Sequence, residues 1–349
     1  MEFASGTIAQ GLEDDFCVPK GAFVVGGSIL FTRVNLKSSF FLDKCLRAGG
    51  VVLFLYCSRF IRVRKIKMVK QLLKKMFPSF GSIPVDILRM IKDQRDIDLQ
   101  RIIKQRQNLH LNPIAKCGEK CFSQSDEDGI TLEIVKRLGI KNGFFAEFGP
   151  GDGLENNTLI LAASGWNGFW IGGEDLALNL KESEKFSYIK DWVTKENVVK
   201  LFKTGAKNIG AKHLDVVSLD LDGNDIYFVE ELLSNGCAPK VFIVEYNAKF
   251  LPPVRFQIDY DPKHQWQRDD FFGASLCSFD DLFEKFDYSL VCCNAATGAN
   301  AFFVHNEFMS LFSDVPSDIA EIYVPPNYLL YGRYGHKPSA RVVEKILNR

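Results

Sequence analysis

No apolar run noted in this 349-residue chain has the length of a membrane-spanning helix. GAFVVGGSILF (21–31) and AGGVVLFLYCS (48–58) reach 11 residues each, against the roughly 20 that a span requires. Acidic and polar residues precede the first run, so no signal peptide is expected. Net charge is also missing, with 43 basic residues against 43 acidic ones. The nine cysteines follow no paired spacing, which argues for a reduced, intracellular compartment. Cys117 and Cys121 are followed by no second Cys or His pair at zinc-site spacing, so no zinc centre is expected. There is no Gly-Lys-Ser/Thr phosphate loop and no G-x-S-x-G nucleophile turn. Internal repeats and low-complexity tracts are absent as well.

What is present is the material of a folded core: 46% hydrophobic residues, 25% charged residues and 30 Phe. Charge is unevenly placed, with 19 basic against 9 acidic residues up to His110, so the remainder is acidic. Residues 1–67 show no clear period and read as an extension of unassigned role, with Met68 a candidate start. The stretch 59–77, RFIRVRKIKMVKQLLKKMF, has eight basic residues and no acid. Val69, Leu72, Leu73 and Met76 fall at helical spacing within it. Such a helix either packs one stripe on its own domain or docks on an anionic membrane surface. Nucleic acid is not expected, because the acidic remainder repels phosphate and no recognition motif accompanies the charge.

Pro84 to about Gln107 reads as a helix, closing a helical region over 68–112. From residue 113 to 349 helical and strand-like segments alternate. Helices are expected near 126–138, 155–163, 227–233 and 279–286. Strands are expected at FFAEF, GFWIG, VVSLDL, VFIVEY, YSLVCC and NAFFV. The pattern predicts an α/β fold, a mostly parallel sheet with helices on both faces and a C-terminal antiparallel hairpin.

The strand FFAEF runs into AEFGPGDGLENNT (146–158), where Glu147 is followed by Gly149, Gly151 and Gly153. Ligands of open α/β sheets bind beyond the carboxyl ends of strands. A dinucleotide turn would need Gly or Ala at 154, where Leu154 stands. Acid plus alternate glycines resembles motif I of class I S-adenosylmethionine (SAM) methyltransferases, whose cofactor carries an ammonium and a sulfonium that suit nearby carboxylates. The plain alternative is a tight turn without ligand. Glu174, or its neighbour Asp175, is placed to accept from ribose hydroxyls, and Trp170 is either an adenine wall or core.

Further along, Asp220 and Asp222 are two apart and so share a face if both lie on a strand, with Gly223, Asn224 and Asp225 as the exit turn. Glu245 and Asn247 share that geometry on the next strand. Asp220, Glu245 and Asn247 are candidate ligands of a hard cation such as Mg2+. Alternatively Asp220, Asp222 or Glu245 acts as general base without metal, or the acids cap helices. His264, on a polar, aromatic-dotted loop, is a further candidate base or a surface residue.

SQSDEDGI (from Ser123), AEFGPGDGLENNT, VVSLDLDGND and FIVEYN, in this order, resemble the FkbM-like branch of SAM-dependent methyltransferases over about residues 121–305. The resemblance implies a Rossmann-like fold and O-methylation of a sugar or polyketide hydroxyl, with Asp220, Asp222, Asp225 and Glu245 at the family's acid positions. Where that family usually carries Lys, this chain has Ser218. Catechol-type enzymes place an acid and an Asn side by side after the fifth strand, whereas Tyr246 intervenes here. The expectation is thus a cytoplasmic SAM-dependent O-methyltransferase acting on a sugar, glycan or small metabolite. The competing expectation is a non-catalytic scaffold on the same fold, docked to a membrane surface.

Overall fold

The computed structural model describes residues 22–25, 28–31, 85–181, 183–330 and 339–348. The basic stretch 59–77 lies outside the described residues, as does most of 1–67. The chain divides into two compact units, Met1–Asp86 and Ile87–Arg349. In the first, Ala22–Val25 pairs antiparallel with Ser28–Phe31.

The second unit is built on a sheet of seven strands: β1 (Phe144–Phe148), β2 (Asn167–Gly172), β3 (Phe186–Lys190), β4 (Val216–Leu219), β5 (Val241–Glu245), β6 (Tyr288–Cys293) and β7 (Asn300–His305). Their order across the sheet is β3-β2-β1-β4-β5-β7-β6. The first five run parallel, and β7 lies antiparallel between β5 and β6. This is a Rossmann-like α/β fold with the expected antiparallel hairpin at its C-terminal edge.

Side chains alternate faces along each strand. Ala146 and Phe148 of β1 join Phe169, Val217, Phe242 and Phe303 in one core layer. That layer is covered by α4 (Val198–Asn208), α5 (Asp225–Ser234) and α6 (Leu276–Glu284). Phe145 joins Trp170, Val216, Ile243 and Phe302 on the opposite face, under α2 (Glu127–Arg137), α3 (Leu159–Ala163) and α7 (Ala340–Leu347). Strands buried on both sides read as continuous apolar runs, as β1, β4 and β5 do.

The long helix α1 (Val85–Leu109) reaches the body through its C-terminal half. Ile103 and Gln107 are buried there, while Ile87, Leu88, Met90 and Ile91 stay exposed. Gln107 donates to Asp126 (2.8 Å) and to the Gly118 carbonyl (3.0 Å), tying α1 to the start of α2.

Candidate functional site

The carboxyl ends of β1, β2, β4 and β5 open on one side of the sheet, and the glycine loop, Asp220 and Glu245 all leave the sheet there. Gly149, Gly151 and Gly153 each have positive φ (81°, 56° and 79°). They are not equivalent. A Cβ on Gly149 would lie 1.8 Å from the carbonyl oxygen of Asp220, so this glycine lets β1's exit pack against β4's. A Cβ on Gly153 would press on Trp170, Leu176 and Leu178 at 3.0–3.1 Å. Gly151 has nothing within 4 Å of its would-be Cβ and faces open space.

Glu147 is buried, and its carboxylate accepts from the Asn157 (2.9 Å) and Thr158 (3.0 Å) amides and from the Thr158 hydroxyl. Burial raises its pKa to about 7 despite these bonds. The expected cofactor acid therefore holds the approach to α3 with both oxygens. Trp170 is core: fully buried, its indole nitrogen donates to Thr158 (3.0 Å) and its ring meets Phe186 edge-on. Glu174 is exposed, and after burial its charge is the next cause that raises the Asp222 carboxyl. Asp175 instead turns to Lys190, 2.5 Å away.

The carboxylates of Asp220, Asp222 and Glu245 converge, each offering an oxygen within 4.8 Å of the others. Burial, then repulsion within the group, pushes the Asp220 and Glu245 carboxyls well above the carboxylate range. Their geometry differs from the expected one. β4 ends at Leu219, and Asp222 reaches the group from a left-handed turn (φ 57°) rather than from a strand. Asp225 makes that turn by accepting from the Leu221 (2.8 Å) and Gly223 (3.0 Å) amides, so it clamps the loop.

Asn247 is not beside Glu245. β5 stops at Glu245, so the two residues no longer share a strand face. The Asn247 side chain is buried against the following loop, donating to the Asp270 and Phe272 carbonyls (both 3.0 Å) and accepting from the Lys249 amide (3.2 Å). The third oxygen beside Asp220 and Glu245 belongs to Asp222. His264 packs on Gly223, where a Cβ would meet its ring at 2.3 Å. Its Nε2 is buried without a hydrogen-bond partner.

Sequence reasoning left unread a buried polar layer beneath these acids. Glu127 accepts from the Ser125 amide and hydroxyl (both 2.8 Å), from Asn294 (3.1 Å) and from Asn300 (3.3 Å). Asn294 also bonds Asp126 and Thr297. Asn157 links Ser218 (3.2 Å) to Asn300, the register partner of Glu245. Ser218 thus carries a hydroxyl bond at the position where the resembled family has a cation. Among the described residues, no ion pair reaches Asp126, Glu127, Glu147, Asp220, Asp222 or Glu245. The signal that could have exposed the layer is SQSDED itself, six hydrogen-bonding side chains in a row at the start of α2, but partners such as Asn294 and Thr297 lie about 170 residues away.

Among solved structures, the chain is similar to a protein described as Cj0485 dehydrogenase at 19% identity and a TM-score of 0.19, over 26% of this chain and 36% of that one. It is also similar to YjhP from E. coli at 16% identity and a TM-score of 0.28, over 52% of this chain and 75% of that one. The match therefore spans about a third of the first protein's length. No family model matches the chain, and no curated protein matches it.

Proposed function

We propose that the chain is a SAM-dependent methyltransferase that transfers the methyl group to a hydroxyl of a sugar, glycan or small metabolite, as the FkbM-like resemblance implies. The observation that carries this reading is the open space over Gly151, on the loop that leaves the same end of the sheet as the convergent Asp220, Asp222 and Glu245 carboxylates, which no ion pair among the described residues neutralises. A cationic nucleoside would favour the ionised form of these acids, which burial opposes, whereas a phosphate-bearing one would oppose that form further. Leu154 and the reversed β7 likewise depart from the dinucleotide pattern of six parallel strands.

In this reading Gly149, Gly151 and Gly153 shape the loop against the cofactor, and Glu174 accepts from its ribose. The cofactor supplies the electrophilic methyl group. Asp220, Asp222 and Glu245 orient the acceptor hydroxyl and take up its proton, with His264 at the rim. Holding acceptor and donor in line supplies much of the rate. The same three carboxylates are the oxygen-only set that Mg2+ takes, so activity with and without EDTA separates metal-assisted from direct base catalysis. The six described cysteines are all free, which supports a reduced, cytoplasmic setting.

Calorimetry with SAM tests the reading. Wild type is expected to bind, and Gly151→Trp, which fills the open space, is expected to abolish binding without unfolding the domain. Absence of binding to wild type overturns the proposal and favours a non-catalytic scaffold.

A further inference from the structure

From the acid cluster an aromatic strip runs outward along the loop that follows β5. His264 lies against Gly223 beside Asp222. Its ring centroid is 6.5 Å from that of Phe271, which meets Phe256 at 6.4 Å, which stacks on Phe250 at 4.1 Å. Phe271 is 54% exposed, and the neighbouring Leu251 and Val254 are 58% and 42% exposed. Aliphatic and aromatic surface left in water this way is costly and marks a place where something apolar binds.

The loop is held at its far limb and at its middle. Asn247 holds its far limb through the Asp270 and Phe272 carbonyls. Asn224, in the turn after β4, donates to the Asp261 carbonyl (2.7 Å) and accepts from the Asp261 amide (3.3 Å). The strip therefore keeps its register with the carboxylates. Residues 249–271 carry four basic and four acidic side chains, so there is no cationic excess to draw the loop to an anionic bilayer. A single amphiphile suits it better than a membrane surface.

We infer that the acceptor is a lipid-class alcohol, its hydroxyl at Asp220 and Glu245 and its aliphatic body along Phe271, Phe256 and Phe250. This deepens the methyl-transfer reading and rests on it for the role of the hydroxyl. The probes are methyl and octyl β-glucoside, both kept below micelle formation, titrated into the full chain by calorimetry. Full burial of a methylene tightens binding about fourfold, so partial cover of the octyl chain predicts a gain of about tenfold or more over methyl.

Leu251→Asp and Phe271→Asp, both at exposed positions, are expected to cut that gain to about threefold or less. Equal affinity for the two glucosides overturns the inference, as does a gain that both variants retain. Binding to neutral phosphatidylcholine vesicles in place of monomeric octyl glucoside also overturns it, in favour of surface docking. SAM titration of the same samples separates the two readings. A lost SAM signal with the chain-length gain intact removes the methyltransferase reading and leaves the strip, and the converse removes the strip alone.

Discussion

At Gly149 a methyl group has nowhere to go, because the Asp220 carbonyl oxygen would stand 1.8 Å from it and the backbone is left-handed. Gly149→Ala is expected to cost about 3 kcal/mol or more in urea unfolding, the sum of a left-handed penalty and overpacking. Gly151→Ala, with the same handedness and open space around it, should cost about 1 kcal/mol. Equal losses at the two positions would contradict the division of labour drawn between them. Glu245 supplies the opposite case. Burial and the Asp220, Asp222 and Asp225 charges all disfavour its ionised form, so Glu245→Gln should stabilise the fold by about 1 kcal/mol, raising Tm by roughly 2–4 °C. If the proposed methyl transfer holds, the same change should lower it about a hundredfold or more, since the proposed proton acceptor is removed.

The loop after β5 depends on one side chain. Asn247→Leu leaves the buried Phe272 carbonyl, the Asp270 carbonyl and the Lys249 amide without their partner. It is expected to cost about 2–3 kcal/mol and to open residues 249–271 to limited proteolysis. That role was illegible in the sequence, where Glu245-Tyr246-Asn247 suggested two oxygens on one strand face. Nothing local shows that β5 ends one residue before Tyr246, whose hydroxyl is drawn to the Val324 carbonyl (2.8 Å). Legibility followed burial elsewhere. The doubly buried strands β1, β2, β4 and β5 were plain as apolar runs, and α2 matched its expected span almost to the residue. The edge strand β3 (FSYIK) went unread because its half-buried residues alternate too weakly among charged neighbours. Helix α4 was hidden by Gly205, which sits mid-helix because a Cβ there would strike the Phe169 ring at 2.3 Å. Helix α3 begins four residues later than expected, because Asn157 and Thr158 serve Glu147 and the polar layer and Asn156 accepts from the Leu159 amide before the helix starts.

Across the whole molecule, buried carboxyls set the pH response. Glu147 titrates near 7 folded against 4.5 free, and Asp126 near 6 against 3.8, burial being the first cause in both. A raised folded pKa means the folded state binds more protons between the two values. The associated stability is full below about pH 4 and is lost as pH rises through 6 and 7. Glu147 alone accounts for about 3 kcal/mol of that slope. Chemical denaturation from pH 4.5 to 7.5 should show a falling midpoint, flatter in Glu147→Gln; a midpoint that rises over this range would contradict the burial of these acids. The position of β7 carries one more consequence. Glu245 is bordered by Asn300, and Glu127 by Asn294, yet these partners leave the ribosome long after the strand and the helix that carry the two acids. Until then β5 is a bare sheet margin and the acids lack their lining. A nascent chain halted before residue 294 thus carries the glycine loop without a finished pocket, and pairings of such sequence separation assemble slowly.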